Sequence, residues 1–190
     1  TWVENDLNMA AGEAMARQML HARRFDKARF GVDPVICWEP DTFGHPATIP
    51  QLLAQAGIKY YYFCRAGRRH PLFWWEGPDG TRILSFDETA SGSWYDSGLD
   101  SKVLAELPAW RRGTGLKSTM WVYGVGNHGG GPTREQLQTA VAWKKTPHYP
   151  RVEFSGAAGF FSEAGKTVSG NLPVIRGELD PRIAGVFTTH

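Results

Sequence analysis

The sequence predicts an α/β fold, in which apolar strands alternate along the chain with helices. Segments rich in β-branched and aromatic residues, such as residues 58–64, alternate with segments whose apolar residues recur at helical spacing. This order is typical of parallel βαβ units, and roughly six strands can be counted by these criteria. At 190 residues, the length favours one domain that is large enough to bury a core.

Composition and charge narrow the range of partners. The net charge of +2 gives no reason to expect a nucleic acid or a membrane surface as a partner. No apolar run is long enough to span a bilayer and no signal peptide is recognisable, so we expect a cytoplasmic protein that does not associate with membranes. Because the chain begins at Thr1 rather than at a methionine, we expect it to be a segment of a longer protein.

The first third of the chain contains a helix followed by a strand–helix–strand unit. The elements predicted here are, in order, a helix over residues 9–30, a strand ending near residue 38, a helix over 49–56 and a buried parallel strand over 58–64. Gly31 and Gly57 are predicted to end the two helices. Cys37 and Cys64 fall at the strands, and we expect buried free thiols there rather than a disulfide.

The remaining elements follow from turn residues and caps. Pro-Asp-Gly at residues 78–80 predicts a hairpin turn, and Thr133 predicts the amino-terminal cap of a helix. The predicted elements are strands over 73–76 and 81–86, an irregular loop over 87–100, a helix over 101–110, a strand over 120–125, a helix over 133–144, a strand over 152–154, a helix over 157–164 and a strand over 173–179.

An acidic turn follows the first predicted strand. Residues 38–45 read Trp-Glu-Pro-Asp-Thr-Phe-Gly-His, in which Pro40 prevents a central strand from continuing and Gly44 permits a sharp bend. Asp41 therefore lies just past the carboxyl end of the strand, where α/β folds place their chemistry. Asp41 is the carboxylate that we expect to be held at a strand end rather than left on a solvated face.

This turn resembles the nucleophile motif of family 38 glycoside hydrolases, the retaining α-mannosidases. Residues 41–45 are followed by Ile-Pro-Gln-Leu-Leu at 49–53, in the order in which the family carries the two motifs. Further similar motifs occur between Trp2 and His190. The resemblance implies a seven-stranded (β/α) barrel that is incomplete here, because the first strand would precede Thr1. Residues 1–190 would then be part of the N-terminal catalytic domain.

The resemblance implies roles for several residues. Asp41 would be the nucleophile and a zinc ligand, and His190 a second zinc ligand. Arg65, at the end of the strand over 58–64, would contact the nucleophile region, unless it is a solvated loop arginine. The family's other two zinc ligands form a His-x-Asp pair on the first strand, and this sequence has no His-x-Asp. We therefore expect the segment alone to bind zinc poorly and to be inactive, while the intact parent is active.

The chain departs from the family's pattern at the position of the acid/base residue. Where the family has an acidic residue in a glycine-rich loop, this chain has Asn127 followed by His128. His128 can donate a proton near neutral pH, whereas Asn127 cannot. Either His128 serves, or a carboxylate from elsewhere does, or the activity is reduced.

Other polar and aromatic residues are candidates for substrate contacts or for structural roles. Glu4 and Asp6 are expected to be charges that precede the first helix, although both could lie near the site, and His45 is expected to be a structural turn residue. The predicted substrate-binding residues are Phe43, Arg65, Asn127, Trp94, Tyr95 and Asp96.

The resemblance thus implies a retaining glycosidase that cleaves terminal α-mannosides through a covalent glycosyl-aspartate. Its partner would be a mannose-containing oligosaccharide or glycoside, and downstream domains could make it a homo-oligomer. The alternative is an inactive carbohydrate-binding remnant of the same fold, which Asn127 favours. A metal-dependent polysaccharide deacetylase is a more distant alternative, because its Asp-Asp and His-x-x-x-His pattern is not seen.

Overall fold

The structure is a computed structural model that describes residues 2–65, 70–95, 97–126, 130–147, 149–168 and 172–179. Its elements are α1 (Gly12–Phe30), β1 (Ile36–Glu39), α2 (Ile49–Gln55), β2 (Tyr60–Phe63), β3 (Leu72–Glu76), β4 (Arg82–Asp87), α3 (Ser101–Thr114), α4 (Arg134–Lys145), α5 (Ala157–Thr167) and β5 (Val174–Arg176). The chain divides into two compact units. One contains residues 1–90 and 170–190, and the other contains residues 91–169.

The strands form one mixed sheet in the order β1-β2-β4-β3-β5. β1 pairs in parallel with β2, and β2 with β4, while β3 and β4 form an antiparallel hairpin. β5 then pairs in parallel with β3. The α/β class and the β1-α2-β2 unit are therefore confirmed. The described residues contribute five strands to this sheet, and the seven-stranded barrel stays a prediction.

The position of β2 inside the sheet explains why its side chains are aromatic on both faces. Tyr61, Tyr62 and Phe63 are fully buried, because strands lie on both sides of β2 and side chains pack on both faces. On the Tyr61 face, α1 contributes Met15 and Met19 to the core cluster, while α2 contributes Ile49 and Leu53. The two helices thus pack against this face of the sheet and hold the strands in place. The turn that follows β1 begins from this packed sheet.

Several helix ends have the local chemistry that the sequence predicts. Gly31 adopts a left-handed conformation (φ 69°) and its N–H donates to the Lys27 carbonyl over 3.1 Å, which ends α1. Thr133 and Gln136 form a reciprocal capping box at the start of α4. In the described part of the chain, no helix combines the length and apolar composition that a bilayer crossing requires.

Two predicted strands are wrong. With the described residues as partners, residues 120–125 make only one isolated bridge, between Tyr123 and Ser97, and Trp121 donates its indole N–H to the Gly98 carbonyl over 3.2 Å. Residues 152–154 belong to no strand, and the Phe154 side chain is exposed. Both segments have residues that suit a strand, but a strand also needs a neighbouring strand for its backbone hydrogen bonds.

Both cysteines are free and buried, as the sequence predicts. Cys37 lies within β1, and Cys64 follows the last residue of β2. Burial raises the pKa of the Cys37 thiol well above its usual value, and the adjacent Glu39 adds to this effect. Burial raises the pKa of Cys64 as well, and both groups are therefore neutral thiols at physiological pH.

Candidate active site

Asp41 lies two residues beyond the end of β1, at the carboxyl edge of the parallel strands. Its side chain is 48% exposed, so the carboxylate is open to solvent although Glu39, the last residue of the strand, is buried. The parallel register pairs Glu39 with Phe63. If this register is continued for two residues on both strands, Asp41 comes beside Arg65. Sequence position and strand pairing together explain why these two side chains meet.

Arg65 contacts two residues of the turn over residues 38–45, Asp41 and Phe43. Its Nε and Nη2 atoms contact Asp41 Oδ1, and its guanidinium carbon lies 4.6 Å from the centre of the Phe43 ring. The planar guanidinium can stack on the ring while it donates to the carboxylate. The alternative of a solvated loop arginine does not describe this side chain. Its contact with Asp41 is the one that the resemblance implies.

A buried acidic residue lies directly below the turn. Glu39, the last residue of β1, is fully buried and accepts from the Thr42 hydroxyl over 2.8 Å. The Cys37 thiol lies 3.3 Å from its other oxygen. These bonds tie the turn to the end of the strand. Sequence reasoning missed Glu39, and the available signal was an acidic residue at the last position of an apolar strand.

The amino-terminal segment, residues 4–8, also contacts the turn. The backbone N–H of Asp41 donates to Glu4 Oε1, and the Asn8 side-chain amide donates to the Phe43 carbonyl over 3.4 Å. The Asp6 carboxylate accepts from two backbone N–H groups of its own segment, at Asn8 and Met9. Asp6 thus has the local role expected before the helix. Glu4 instead reaches the candidate site, which is the alternative that the sequence left open.

His45 is a structural residue, as predicted. Its imidazole is fully buried, and Nδ1 shares a hydrogen bond of 2.6 Å with the Tyr61 hydroxyl. Its backbone N–H and carbonyl both pair with Leu179. Burial lowers the pKa of His45 to about 3, so the ring is neutral at physiological pH.

A second acidic group that the sequence did not reveal lies at the end of β4. Glu88 is fully buried, and its Oε2 accepts from the Tyr62 hydroxyl and from the Cys64 thiol, the latter over 2.9 Å. The Tyr62 ring stacks on Trp38, with 3.5 Å between ring centres. Burial raises the pKa of Tyr62, which keeps its hydroxyl protonated as a donor. Glu88, Tyr62 and Cys64 thus form a hydrogen-bonded cluster near the carboxyl ends of β2 and β4.

The other predicted site residues are divided between the second unit and undescribed positions. Trp94 and Tyr95 belong to the second unit, where their ring centres lie 5.3 Å apart and both side chains are half-buried. Asp96, Asn127, His128 and His190 lie outside the described residues.

Of the two predicted zinc ligands, Asp41 is the one that lies among the described residues. Within the described ranges, no three His, Cys, Asp or Glu side chains come together as a group that could hold a metal ion. A carboxylate and an imidazole are both ligands that zinc accepts, so the chemistry of Asp41 and His190 fits the ion. A zinc site at Asp41 therefore needs ligands from outside these ranges.

Comparison with known proteins shows both the fold and the family. The crystal structure of an alpha-mannosidase from Enterococcus faecalis V583 superimposes on 93% of this chain and 21% of its own, with a TM-score of 0.70 and 21% sequence identity. That similarity shows the fold.

Curated relatives are closer in sequence. Alpha-mannosidase 2C1 of Mus musculus is 34% identical over 197 aligned residues, which span the whole chain and 19% of the relative. An alpha-mannosidase of Saccharomyces cerevisiae is 35% identical over 73% of the chain and 13% of its own length. The chain thus spans about a fifth or less of the relatives it matches. The model of the glycosyl hydrolases family 38 N-terminal domain matches residues 1–178, and the chain therefore belongs to this family.

Proposed function

We propose that this chain is the core of the catalytic domain of a retaining α-mannosidase, with Asp41 as its nucleophile. The observation that carries the proposal is a solvent-accessible carboxylate at the carboxyl edge of parallel strands, held by Arg65, in a family 38 chain. Relatives along the whole chain are named alpha-mannosidases, which supports a mannose-containing glycan as the substrate. In the full-length protein, the sheet would belong to a seven-stranded (β/α) barrel.

The proposed reaction has two displacement steps. An oxygen of Asp41 attacks the anomeric carbon as the bond to the leaving oxygen breaks, and water then hydrolyses the glycosyl-aspartate. Arg65 orients the carboxylate, because its guanidinium donates to Oδ1 while it rests on Phe43. The exposed position of Asp41 leaves room for a sugar to approach. We propose Phe43 and Arg65 as substrate contacts, together with Asn127, Trp94, Tyr95 and Asp96.

We propose His128 as the acid/base residue, because the neighbouring Asn127 cannot donate a proton usefully. Replacing His128 by Gln should then lower activity most for substrates with poor leaving groups, which depend on protonation. Hydrolysis of aryl α-mannosides with good and poor leaving groups measures this. Equal rates for His128→Gln and the wild type on both substrates would assign the proton to another group.

Zinc is part of the proposal, with Asp41 and His190 as two of its ligands. When bound, the ion would supply a positive charge that grips two neighbouring hydroxyls of the mannose. Asp41 contributes an oxygen and His190 a nitrogen, and structural or catalytic zinc sites take three or four such protein ligands. Measured metal content of the full-length wild type and of His190→Ala would test the assignment, and equal content in both would contradict it.

The nucleophile is tested on the full-length protein with an aryl α-mannoside. Asp41→Asn keeps the side-chain shape and should lower kcat by at least about a thousandfold, as the loss of a nucleophile does. Asp33→Asn is the matched control, because Asp33 pairs with Arg23 and Lys27 on the surface. It should retain wild-type activity. An Asp41→Asn variant with more than about a tenth of the activity would exclude Asp41 as nucleophile.

The second candidate function is a carbohydrate-binding remnant without catalysis, which Asn127 favours. This alternative predicts that the full-length protein binds a mannoside but does not cleave it. Asn127→Asp would then create the missing acid and should produce activity. A wild type that cleaves aryl α-mannosides excludes this alternative.

A further inference from the structure

We propose that Glu4 is a positioning residue for the nucleophile, which it holds through the backbone N–H of Asp41. The inference rests on the proposed role of Asp41. It concerns a residue that the sequence predicted to be a charge before the first helix, while leaving open that it lies near the site. The described contacts instead connect Glu4 to the first backbone N–H group after Pro40.

The geometry of the turn makes this amide important. Proline has no N–H, so Asp41 carries the first backbone donor beyond the strand, and this donor points at Glu4 Oε1. A carboxylate that accepts a backbone N–H forms a charge-assisted bond, which is stronger than a neutral one. The bond fixes the peptide plane that precedes the Asp41 α-carbon, and hence the direction in which its carboxylate leaves the chain.

Glu4 can act as a fixed acceptor because its segment is anchored independently. Leu7 is 2% exposed and belongs to the core cluster, and the Asp6 carboxylate closes a local turn by accepting from Asn8 and Met9 over 2.8 and 2.9 Å. The Asn8 side chain adds a bond to the Phe43 carbonyl. The Thr42 hydroxyl also lies within hydrogen-bond distance of Glu4 Oε1 and of the Asn5 carbonyl, so the segment contacts the turn at three residues, Asp41, Thr42 and Phe43.

Glu4 is not itself a core residue. Its side chain is exposed, so its replacement removes no apolar packing and the fold should tolerate it. Arg65 approaches the Asp41 carboxylate while Glu4 receives the Asp41 amide. Arg65 therefore restrains the side chain of Asp41, and Glu4 restrains its backbone.

Hydrogen–deuterium exchange on the full-length protein tests the restraint without any requirement for activity. Glu4→Ala removes the acceptor and should speed exchange in a peptide covering residues 41–45 by about tenfold or more, whereas Glu4→Gln keeps an oxygen acceptor and should stay close to wild type. Glu13→Ala is the control, since Glu13 is an exposed acid paired with Arg17 on α1. Equal exchange in Glu4→Ala and wild type would overturn the proposal.

Trapping of the glycosyl-enzyme tests the effect on chemistry. The probe is 5-fluoro-α-mannosyl fluoride, from which the anomeric C–F bond breaks and fluoride leaves with the electron pair as Asp41 oxygen forms the new bond to carbon. Fluoride needs little protonation as it leaves, so the acid/base residue does not limit the step. Intact mass gives the trapping rate at saturation and the probe concentration at half-saturation.

Glu4→Ala should slow trapping at saturation about 10- to 100-fold with little change in half-saturation, because about 1 Å of misplacement costs about that much. Glu4→Gln should restore the rate to within about threefold of wild type, since it retains a neutral acceptor. Wild-type trapping in Glu4→Ala overturns the positioning role, as does a loss in Glu4→Gln equal to that in Glu4→Ala. Absence of a label on wild-type Asp41 refutes the proposed function and with it the positioning role, while the exchange experiment still shows whether the restraint exists.

Discussion

At the scale of single residues, His45 links the fold to pH. Its pKa is about 3 in the folded chain, against 6.5 without burial. Between these values the unfolded chain binds a proton that the folded chain does not, so stability is complete above pH 6.5 and falls as the pH decreases. The slope is about 1.4 kcal/mol per pH unit for one such group.

His45→Phe removes this titration. The slope of the unfolding free energy against pH between pH 4 and 6.5 should therefore decrease by the contribution of about one proton, which is about 1.4 kcal/mol per pH unit. Denaturant unfolding followed by tryptophan fluorescence measures it. Tyr61→Phe is the control, because it removes the hydroxyl bound to Nδ1 but keeps the buried imidazole. Identical slopes in wild type and His45→Phe would contradict a buried neutral histidine.

Residue identity alone predicted only part of the candidate site. Asp41 and Arg65 were identified because a proline and a strand end mark their positions. Glu39 and Glu88 were not identified, and Glu4 was expected to be a charge before the first helix that could also lie near the site. The importance of all three depends on the groups that they contact. A backbone N–H meets Glu4, a threonine hydroxyl meets Glu39, and a tyrosine hydroxyl meets Glu88. A single sequence does not display such contacts between distant segments.

At the scale of elements, the β3–β4 hairpin depends on its turn. Gly80 has φ +84°, and an added β-carbon would meet no atom within 4 Å. Gly80→Ala should therefore cost only backbone strain, about 1–2 kcal/mol of stability. Gly12→Ala is the control, because Gly12 begins α1 and also has open space around it. It should be neutral or stabilising by up to about 1 kcal/mol.

Denaturant unfolding of the two glycine variants measures the difference. Equal stability of Gly80→Ala and Gly12→Ala would contradict the turn geometry. The hairpin was predictable from sequence because its turn chemistry is local: Asp79 accepts from the Thr81 N–H over 2.9 Å. The wrong strands at 120–125 and 152–154 had strand-like residues without such local signals. Strand formation there depended on neighbours that local sequence does not specify.

At the scale of the whole molecule, the α/β class was predictable but the strand order was not. Alternating strands and helices indicated parallel pairing, and β1, β2 and β4 follow it. β3 leaves the pattern because its hairpin turn makes it antiparallel to β4, and β5 then joins β3 rather than β1. Pairing between residues about a hundred positions apart, such as Trp74 and Val174, depends on the whole sheet.

The central claim is that Asp41 attacks the sugar, and one measurement tests it most directly. The full-length protein is incubated with 5-fluoro-α-mannosyl fluoride and digested, and mass spectrometry locates the added sugar. We predict one labelled peptide, with the mannosyl group on Asp41. A label on another carboxylate, or no label under conditions in which the protein hydrolyses an aryl α-mannoside, would contradict the claim.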